Sequence, residues 1–179
     1  MGFETAVFQS ATLGIPLHLY TVVHVVISLI AIAAGLVVML GMVRRKGMHG
    51  GRMEKTTAIF LAFTVATSVT GFGFVPLPPG SPAVKLGVIS LIVLAIALVA
   101  RYAMRLAGKW RATYVVTAAL ALYLNCFVLV VQMFLKIPAL HALAPKGNEP
   151  AFAIAQGVVL VAFVALTVLA VKRFRPERL

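Results

Sequence analysis

Long apolar runs alternate with short polar segments along the whole chain. Five of these runs are about 20 residues or longer, the length that a helix needs to cross roughly 30 Å of hydrocarbon. Few charged residues interrupt them. The pattern predicts an all-α membrane protein with a single domain, residues 1–179, built as a bundle of five transmembrane helices. The predicted helices cover residues 16–43, 56–76, 84–107, 112–136 and 151–171.

The composition is typical of a protein that resides in a lipid bilayer. Of the 179 residues, 62% are hydrophobic and 11% are charged, and the mean hydropathy is +1.07. In a soluble protein the net charge of +12 would indicate a nucleic-acid partner. In a membrane protein the position of the charges matters more than their sum, so we predict the lipid bilayer as a partner and no nucleic acid.

The positive charges lie almost entirely on one side of the predicted membrane. Thirteen of the 16 Lys and Arg residues fall in the segments 44–55, 101–111 and 172–179. Because Lys and Arg are retained on the cytoplasmic face, this distribution predicts an N-terminus outside and a cytoplasmic C-terminus. Five spans agree with it, since an odd number places the termini on opposite sides.

The pentapeptide Val-Ile-Ser-Leu-Ile occurs at Val26–Ile30 and again at Val88–Ile92. Both copies lie in predicted helices that run from outside to inside, each followed by a basic segment and a returning helix. This order predicts two parallel helical hairpins plus a fifth helix, an internal repeat of the kind found in transporters. The alternative interpretation is coincidence, because apolar spans use few residue types.

Residues at helical spacing identify the faces that point into the bundle. On the fourth predicted helix one face carries six residues at helical spacing: Tyr114, Ala118, Ala121, Asn125, Gln132 and Lys136. On the third predicted helix, Ser90 shares a face with small residues and with Arg101. We predict that both faces pack inward.

Polar residues within the predicted spans are candidates for function, because an unpaired polar group in hydrocarbon is energetically costly. They gather in the outer half of the bundle or just above it, which predicts a polar cavity open to the outer face. The predicted ligand-binding residues are His24, Asn125, Gln132, Lys136, His141 and Gln156. The alternative interpretation is structural, with amide side chains bonding between helices and Lys136 extending its amine to the surface.

The predicted cavity favours a non-enzymatic protein that binds a lipid-like or small amphipathic molecule, or a partner subunit. The second hypothesis is a redox protein, in which His24 or His141 binds haem or quinone while Gln132 and Lys136 position it. The third is a small channel or transporter. Stripes of small residues in the spans are also typical of helices that associate, so a homo-oligomer is a further hypothesis.

Motifs for metal binding or hydrolysis are missing from the sequence. It contains neither Cys-x-x-Cys nor His-Glu-x-x-His, and its one cysteine is Cys126. The four acidic residues are all Glu and lie outside the predicted spans. We therefore predict no metal site, no catalytic residues, and no cofactor apart from the haem or quinone of the second hypothesis.

Three segments carry a resemblance to a known family: ALYLNCFVLVVQMFLKIPALHALAP, TSVTGFGF, and EPAF with the following Gln156. They resemble a family of small multi-pass inner-membrane proteins of bacteria whose function is uncharacterised. The resemblance extends over most of the chain and implies a location in the bacterial inner membrane. It implies no catalytic role, but Asn125, Gln132, Lys136 and Gln156 lie within the recognisable segments.

Overall fold

The computed structural model describes residues 11–12, 14–44, 51–74 and 80–175. Within these ranges the chain begins with a hairpin of two short antiparallel strands, β1 (Ala11–Thr12) and β2 (Ile15–Pro16). Six α-helices follow in the described part: α1 (Leu17–Val43), α2 (Gly51–Gly71), α3 (Pro82–Leu98), α4 (Trp110–Lys136), α5 (Pro138–Leu143) and α6 (Pro150–Arg173). A π-helical turn, Val99–Ala103, extends α3.

Four of the described helices are long and apolar enough to cross a membrane: α1, α3 with its π-helical turn, α4 and α6. The prediction of a helical membrane protein is confirmed at that level. Helix α2 is not among the four. Its first turn carries Glu54 between Arg52 and Lys55, and several hydroxyl side chains follow. The count of five spans, the orientation and the single domain stay predictions.

Two helices end earlier than the sequence pattern predicted. The third, predicted to residue 107, reaches Ala103 with its π-helical turn and stops, because Arg105 and Leu106 adopt positive φ angles of 48° and 57°. The second, predicted over 56–76, begins at Gly51 and ends at Gly71. Residues 75 and 76 of that prediction lie outside the described residues.

Proline marks the start of three helices, as expected for a residue whose fixed φ suits a first helical turn and whose missing N–H has no helical partner there. Pro82 begins α3, Pro138 begins α5 and Pro150 begins α6. The side chain of Ser81 caps α3 by accepting a hydrogen bond from the backbone N–H of Val84 (3.4 Å). Helix α5 is a short element that the sequence pattern did not predict.

The long helices pack antiparallel to their neighbours in sequence, so the bundle has two distinct ends. We call one of them the basic end. Helix α1, the π-helical turn and α6 terminate at this end, and α2 and α4 begin there. Contacts at the basic end join Gly41 to Met53, Arg101 to Tyr114 and Arg111 to Phe174. Contacts at the opposite end, the far end, join Tyr20 to Thr70, Phe72 to Gly87 and Phe134 to Phe152.

Helix α4 lies at the centre of the bundle, and α6 lies at its edge. The inward face predicted for α4 is confirmed for Tyr114, Ala118 and Ala121, which are all fully buried. It is wrong for the last turns, where Phe134 packs against Phe152 while Gln132 and Lys136 are exposed. Gly35 of α1 also lies in this core, where an added Cβ would be 2.6 Å from a methyl group of Leu122. Helix α6 instead leaves a broad apolar face exposed, the surface that a helix presents to lipid.

The two pentapeptides lie in α1 and α3, which both terminate at the basic end, so the hairpins α1–α2 and α3–α4 run parallel. Ser90 of the second copy is buried and lies 2.9 Å from Ser68 between their hydroxyl oxygens. Ser28 of the first copy donates to the carbonyl oxygen of His24 in its own helix (2.7 Å). Origin by duplication stays a prediction.

Candidate functional site

A polar cluster at the far end of α1 and α2 is closed by hydrogen bonds. The Tyr20 hydroxyl donates to the carbonyl oxygen of Thr70 (2.7 Å), and Nδ1 of His24 lies 2.7 Å from the Thr70 hydroxyl oxygen. Because that hydroxyl donates its own hydrogen to the carbonyl oxygen of Ala66 (2.7 Å), Nδ1 of His24 is the donor to Thr70. The rings of Tyr20 and His24 each meet Phe74 edge to face, with centroids 5.0 Å apart.

We call these four residues, Tyr20, His24, Thr70 and Phe74, the His24 cluster. Its bonds tie α1 to α2, so His24 acts in this structure as a connection between helices. Its Nε2 is left as the acceptor nitrogen of the ring. The redox hypothesis for His24 therefore stays a prediction.

Gln156 and Asn125 each keep one buried polar atom without a partner among the described residues. The side-chain amide of Gln156 donates from Nε2 to the carbonyl oxygen of Phe127 (3.1 Å), which ties α6 to α4. Its Oε1 and the Nδ2 of Asn125 are the unpartnered atoms. Buried polar atoms of this kind are uncommon in folded proteins. They are the part of the predicted site that the structure leaves available for a ligand or water.

Asn125 lies at the depth of the buried serine pair in the middle of the bundle. Arg101 of the π-helical turn packs on Tyr114, and α3 and α4 run antiparallel. Ser90 precedes Arg101 by 11 residues and Asn125 follows Tyr114 by 11 residues. Ser90 and Asn125 therefore lie at about the same depth in the bundle. The Ser68–Ser90 contact and the Asn125 amide thus lie in one polar layer of the bundle.

The other three predicted ligand-binding residues lie at the surface. Gln132 and Lys136 are exposed on the last turns of α4, and His141 is exposed on α5. No hydrogen bond of the described residues joins any two of the six predicted site residues. The structure thus sets His24 against α2 and Gln156 against α4, and the outer polar cavity stays a prediction. Within the described ranges, no group of three or more His, Cys, Asp or Glu could hold a metal ion.

A cleft of about 480 Å³ opens at the bundle surface between α2 and α3, towards the basic end. Its lining consists of Ala58, Leu61, Ala62, Val65, Leu98 and Tyr102. The lining is aliphatic apart from Tyr102, and the small side chains of Ala58 and Ala62 leave the space open. None of the six predicted ligand-binding residues lines it. The cleft suits an apolar chain better than a polar solute.

A second polar cluster lies beside this cleft at the basic end. The guanidinium carbon of Arg101 is 5.4 Å from the ring centroid of Tyr114 and 5.6 Å from that of Tyr102, distances typical of cation–π contacts. Thr57 of α2 lies beside the Tyr114 hydroxyl. We call these four residues, Thr57, Arg101, Tyr102 and Tyr114, the Arg101 cluster.

The Arg101 cluster is not closed by hydrogen bonds. Nε of Arg101 and the hydroxyl oxygen of Tyr114 are both buried, and neither has a hydrogen-bond partner of acceptable geometry among the described residues. The Tyr114 side chain is fully buried. Two adjacent donors, one of them charged, are therefore held in a largely apolar setting without a hydrogen bond of acceptable geometry to any described residue.

Sequence reasoning did not identify this cluster as a site, although part of its signal was present. The helical spacing placed Arg101 and Tyr114 on the inward faces of adjacent helices. Both residues lie close to the segment that connects these helices, so they lie at the same end of the bundle. Because Arg101 was also counted among the basic residues of a connecting segment, it was not included among the predicted site residues. Thr57 and Tyr102 carried no comparable signal, because their proximity depends on the tertiary packing of α2 against α3 and α4.

The chain matches no protein-family model, no curated protein and no solved structure. The resemblance carried by its three segments therefore stays a prediction. The cleft and the two polar clusters are the observations from which a function can be inferred.

Proposed function

We propose that this chain is a five-span protein of the bacterial inner membrane that binds a lipid-like amphipathic molecule in the cleft between α2 and α3. Its N-terminus lies outside and its C-terminus in the cytoplasm. The function is carried by one observation: a cleft of about 480 Å³, lined by apolar side chains, that is open at the bundle surface. Ligand pockets in proteins commonly measure about 300–1,000 Å³.

The fifth span is α2. Helix α1 ends at the basic end and α3 begins at the far end, so the chain has to return across the bundle between them. Helix α2 makes this return with 21 residues, which at about 1.5 Å per residue approach the roughly 30 Å of the hydrocarbon core. Its hydroxyl groups do not oppose this, since Thr64 and Thr70 donate to carbonyl oxygens of the preceding turn.

The orientation rests on the basic residues. The segments with 13 of the 16 Lys and Arg residues flank or include the helix termini that meet at the basic end. Positive residues near the ends of spans are retained on the cytoplasmic side. The cleft then lies in the half of the membrane next to the cytoplasm, where an acyl chain could enter it sideways from the inner leaflet.

The test is retention of lipid by the purified protein. Native mass spectrometry in mild detergent should show lipid bound to the wild type after a delipidating wash. Ala62→Trp fills the cleft, and we expect it to lower the affinity for lipid about tenfold, a loss of roughly 1.4 kcal/mol of binding free energy. The matched control is Ala162→Trp on α6, an exposed alanine outside the cleft, which should retain lipid as the wild type does.

Equal retention by Ala62→Trp and the wild type would exclude the cleft as the binding site. An absorption spectrum of the same preparation tests the redox hypothesis. A Soret band lost in His24→Ala would replace lipid binding by haem binding as the proposed function. The cleft would be supported as the binding site if the purified protein is colourless and the wild type retains lipid while Ala62→Trp does not.

A further inference from the structure

The Arg101 cluster lies at the end of the cleft, so a charged group and an apolar groove adjoin. Tyr102 belongs to both, because it lines the cleft and its ring contacts the guanidinium of Arg101. On α2, Thr57 of the cluster immediately precedes Ala58 of the cleft lining. An amphipathic molecule with its chain in the cleft would therefore place its headgroup beside Arg101.

The depth of Arg101 matches the position of a lipid headgroup. From Pro82, the first residue of α3, to Arg101 the helix rises by about 28 Å at roughly 1.5 Å per residue. The hydrocarbon core of a bilayer is roughly 30 Å thick. Arg101 thus lies near the boundary where acyl chains meet phosphate groups.

The two unpartnered donors of the cluster require an acceptor. Nε–H of Arg101 is charged and the hydroxyl of Tyr114 is neutral, and both atoms are buried without a partner among the described residues. A phosphate oxygen accepts hydrogen bonds from both donor types and balances the charge of Arg101. A zwitterionic headgroup would bring its own cation towards Arg101, so an anionic headgroup is the better match.

We propose that the cleft and the Arg101 cluster form one site for an anionic phospholipid of the leaflet at the basic end. One acyl chain occupies the cleft, and the phosphate accepts hydrogen bonds from Arg101 and Tyr114. This proposal rests on the proposed function and adds the headgroup class. Anionic lipids are concentrated in cytoplasmic leaflets, which agrees with the proposed orientation of the basic end.

The experiment compares phosphatidylglycerol with phosphatidylcholine, added to delipidated full-length protein and followed by native mass spectrometry. We expect the wild type to bind phosphatidylglycerol about tenfold more tightly than phosphatidylcholine, as for one charge-assisted contact. Arg101→Gln should remove this preference while retaining the weaker phosphatidylcholine binding. The matched control is Lys109→Gln, an exposed cation of the same connecting segment, which should keep the preference.

Tyr114→Phe provides a second variant that removes one hydroxyl and leaves the packing unchanged. It should weaken the binding of both lipids about threefold to tenfold, the effect of one hydrogen bond, because both carry the phosphate that accepts from Tyr114. A wild-type preference in Arg101→Gln, or unchanged binding of both lipids in Tyr114→Phe, overturns the proposal. If the wild type binds neither phosphatidylglycerol nor phosphatidylcholine, the proposed function itself is overturned.

A free anion is distinguished from a lipid by inorganic phosphate. At the concentration at which phosphatidylglycerol saturates the wild type, phosphate alone should neither bind nor compete, because it lacks the acyl chain that occupies the cleft. Competition by phosphate at that concentration would identify a site for a soluble anion and contradict the lipid assignment. Ala62→Trp, which fills the cleft, should lose both lipids.

Discussion

The His24 cluster and the Arg101 cluster contain similar groups and differ in how those groups are satisfied. Each combines a tyrosine, a nitrogen-containing side chain and a threonine of α2. In the His24 cluster the polar hydrogens meet acceptors at 2.7 Å. In the Arg101 cluster the Tyr114 hydroxyl and Nε of Arg101 are buried without partners among the described residues.

This difference separates two uses of polar groups in a membrane protein. A closed set of hydrogen bonds between helices holds the helices together and leaves little for a ligand. An open set costs free energy in the empty protein and is compensated when an acceptor binds. The same residue types therefore predict a structural role at the far end and a binding role at the basic end.

The largest effect on stability is expected from a substitution in the core formed by α1, α2 and α4, to which both clusters are connected. A Cβ on Gly35 would lie 2.6 Å from Leu122 and 2.8 Å from Phe60, so Gly35→Leu forces α1 away from α2 and α4. We expect it to lower the free energy of unfolding by about 2–3 kcal/mol, as for other overpacked cores. SDS titration followed by circular dichroism measures this. Gly157→Leu is the control, because nothing lies within 4 Å of the added Cβ there.

Both clusters should lose their geometry in Gly35→Leu, since each depends on α2. A Gly35→Leu protein as stable as Gly157→Leu would show that the α1–α2–α4 core does not unite the two regions.

A matched pair of tyrosine variants compares the clusters directly. Tyr20→Phe removes a hydroxyl that donates to Thr70, and should lower the free energy of unfolding by about 0.5–1.5 kcal/mol. Tyr114→Phe removes a buried hydroxyl that has no hydrogen-bond partner among the described residues, and should raise the free energy of unfolding by about 1 kcal/mol in lipid-free detergent, because that hydroxyl costs free energy in the empty protein. The same SDS titration measures both. A larger loss in Tyr114→Phe than in Tyr20→Phe would reverse the assignment of structural and binding roles.

The smallest effect concerns the loop at the far end, outside the spans. The Glu149 carboxylate accepts hydrogen bonds from the backbone N–H groups of Lys146 (2.9 Å) and Asn148 (3.0 Å), which lower the pKa of that carboxyl below its ordinary value of 4.5. The pKa of Glu149 is lower in the folded protein than in the unfolded chain. The hydrogen bonds to the Glu149 carboxylate therefore stabilise the folded loop above pH 4.5, and this stabilisation is lost as the pH falls through the lowered pKa.

Amide hydrogen exchange of Lys146 and Asn148 between pH 7 and pH 3 tests this contribution, after correction for intrinsic exchange rates. Protection should decrease only at the acid end, and Glu149→Gln should lack the transition. Equal protection in the two proteins at pH 7 would mean that the carboxylate does not order the loop.

The sequence predicted the helices better than it predicted the site. Apolar length and helical spacing depend on local sequence, so α1 and the buried face of α4 with Tyr114, Ala118 and Ala121 were predictable. The early end of the third helix was not, because it depends on the backbone conformations of Arg105 and Leu106. No apolar pattern encodes such a turn.

The site was harder to predict because polarity within a span does not reveal whether a group is satisfied. Asn125 and Gln156 were recognised as polar residues in apolar helices, and each retains a buried atom that no other described residue contacts by a hydrogen bond. His24 was recognised for the same reason and is bonded to Thr70. The distinction depends on which residue of a neighbouring helix lies opposite, and that requires the packed structure.

A π-helical turn holds one residue more than an α-helical turn, since its hydrogen bonds close five residues apart. The turn Val99–Ala103, in which Met104 N–H donates to the carbonyl oxygen of Val99 (2.9 Å), contains such an extra residue. Deletion of a single codon within it would restore an α-helical turn, so the residues on either side would keep their faces and the span would still cross the membrane.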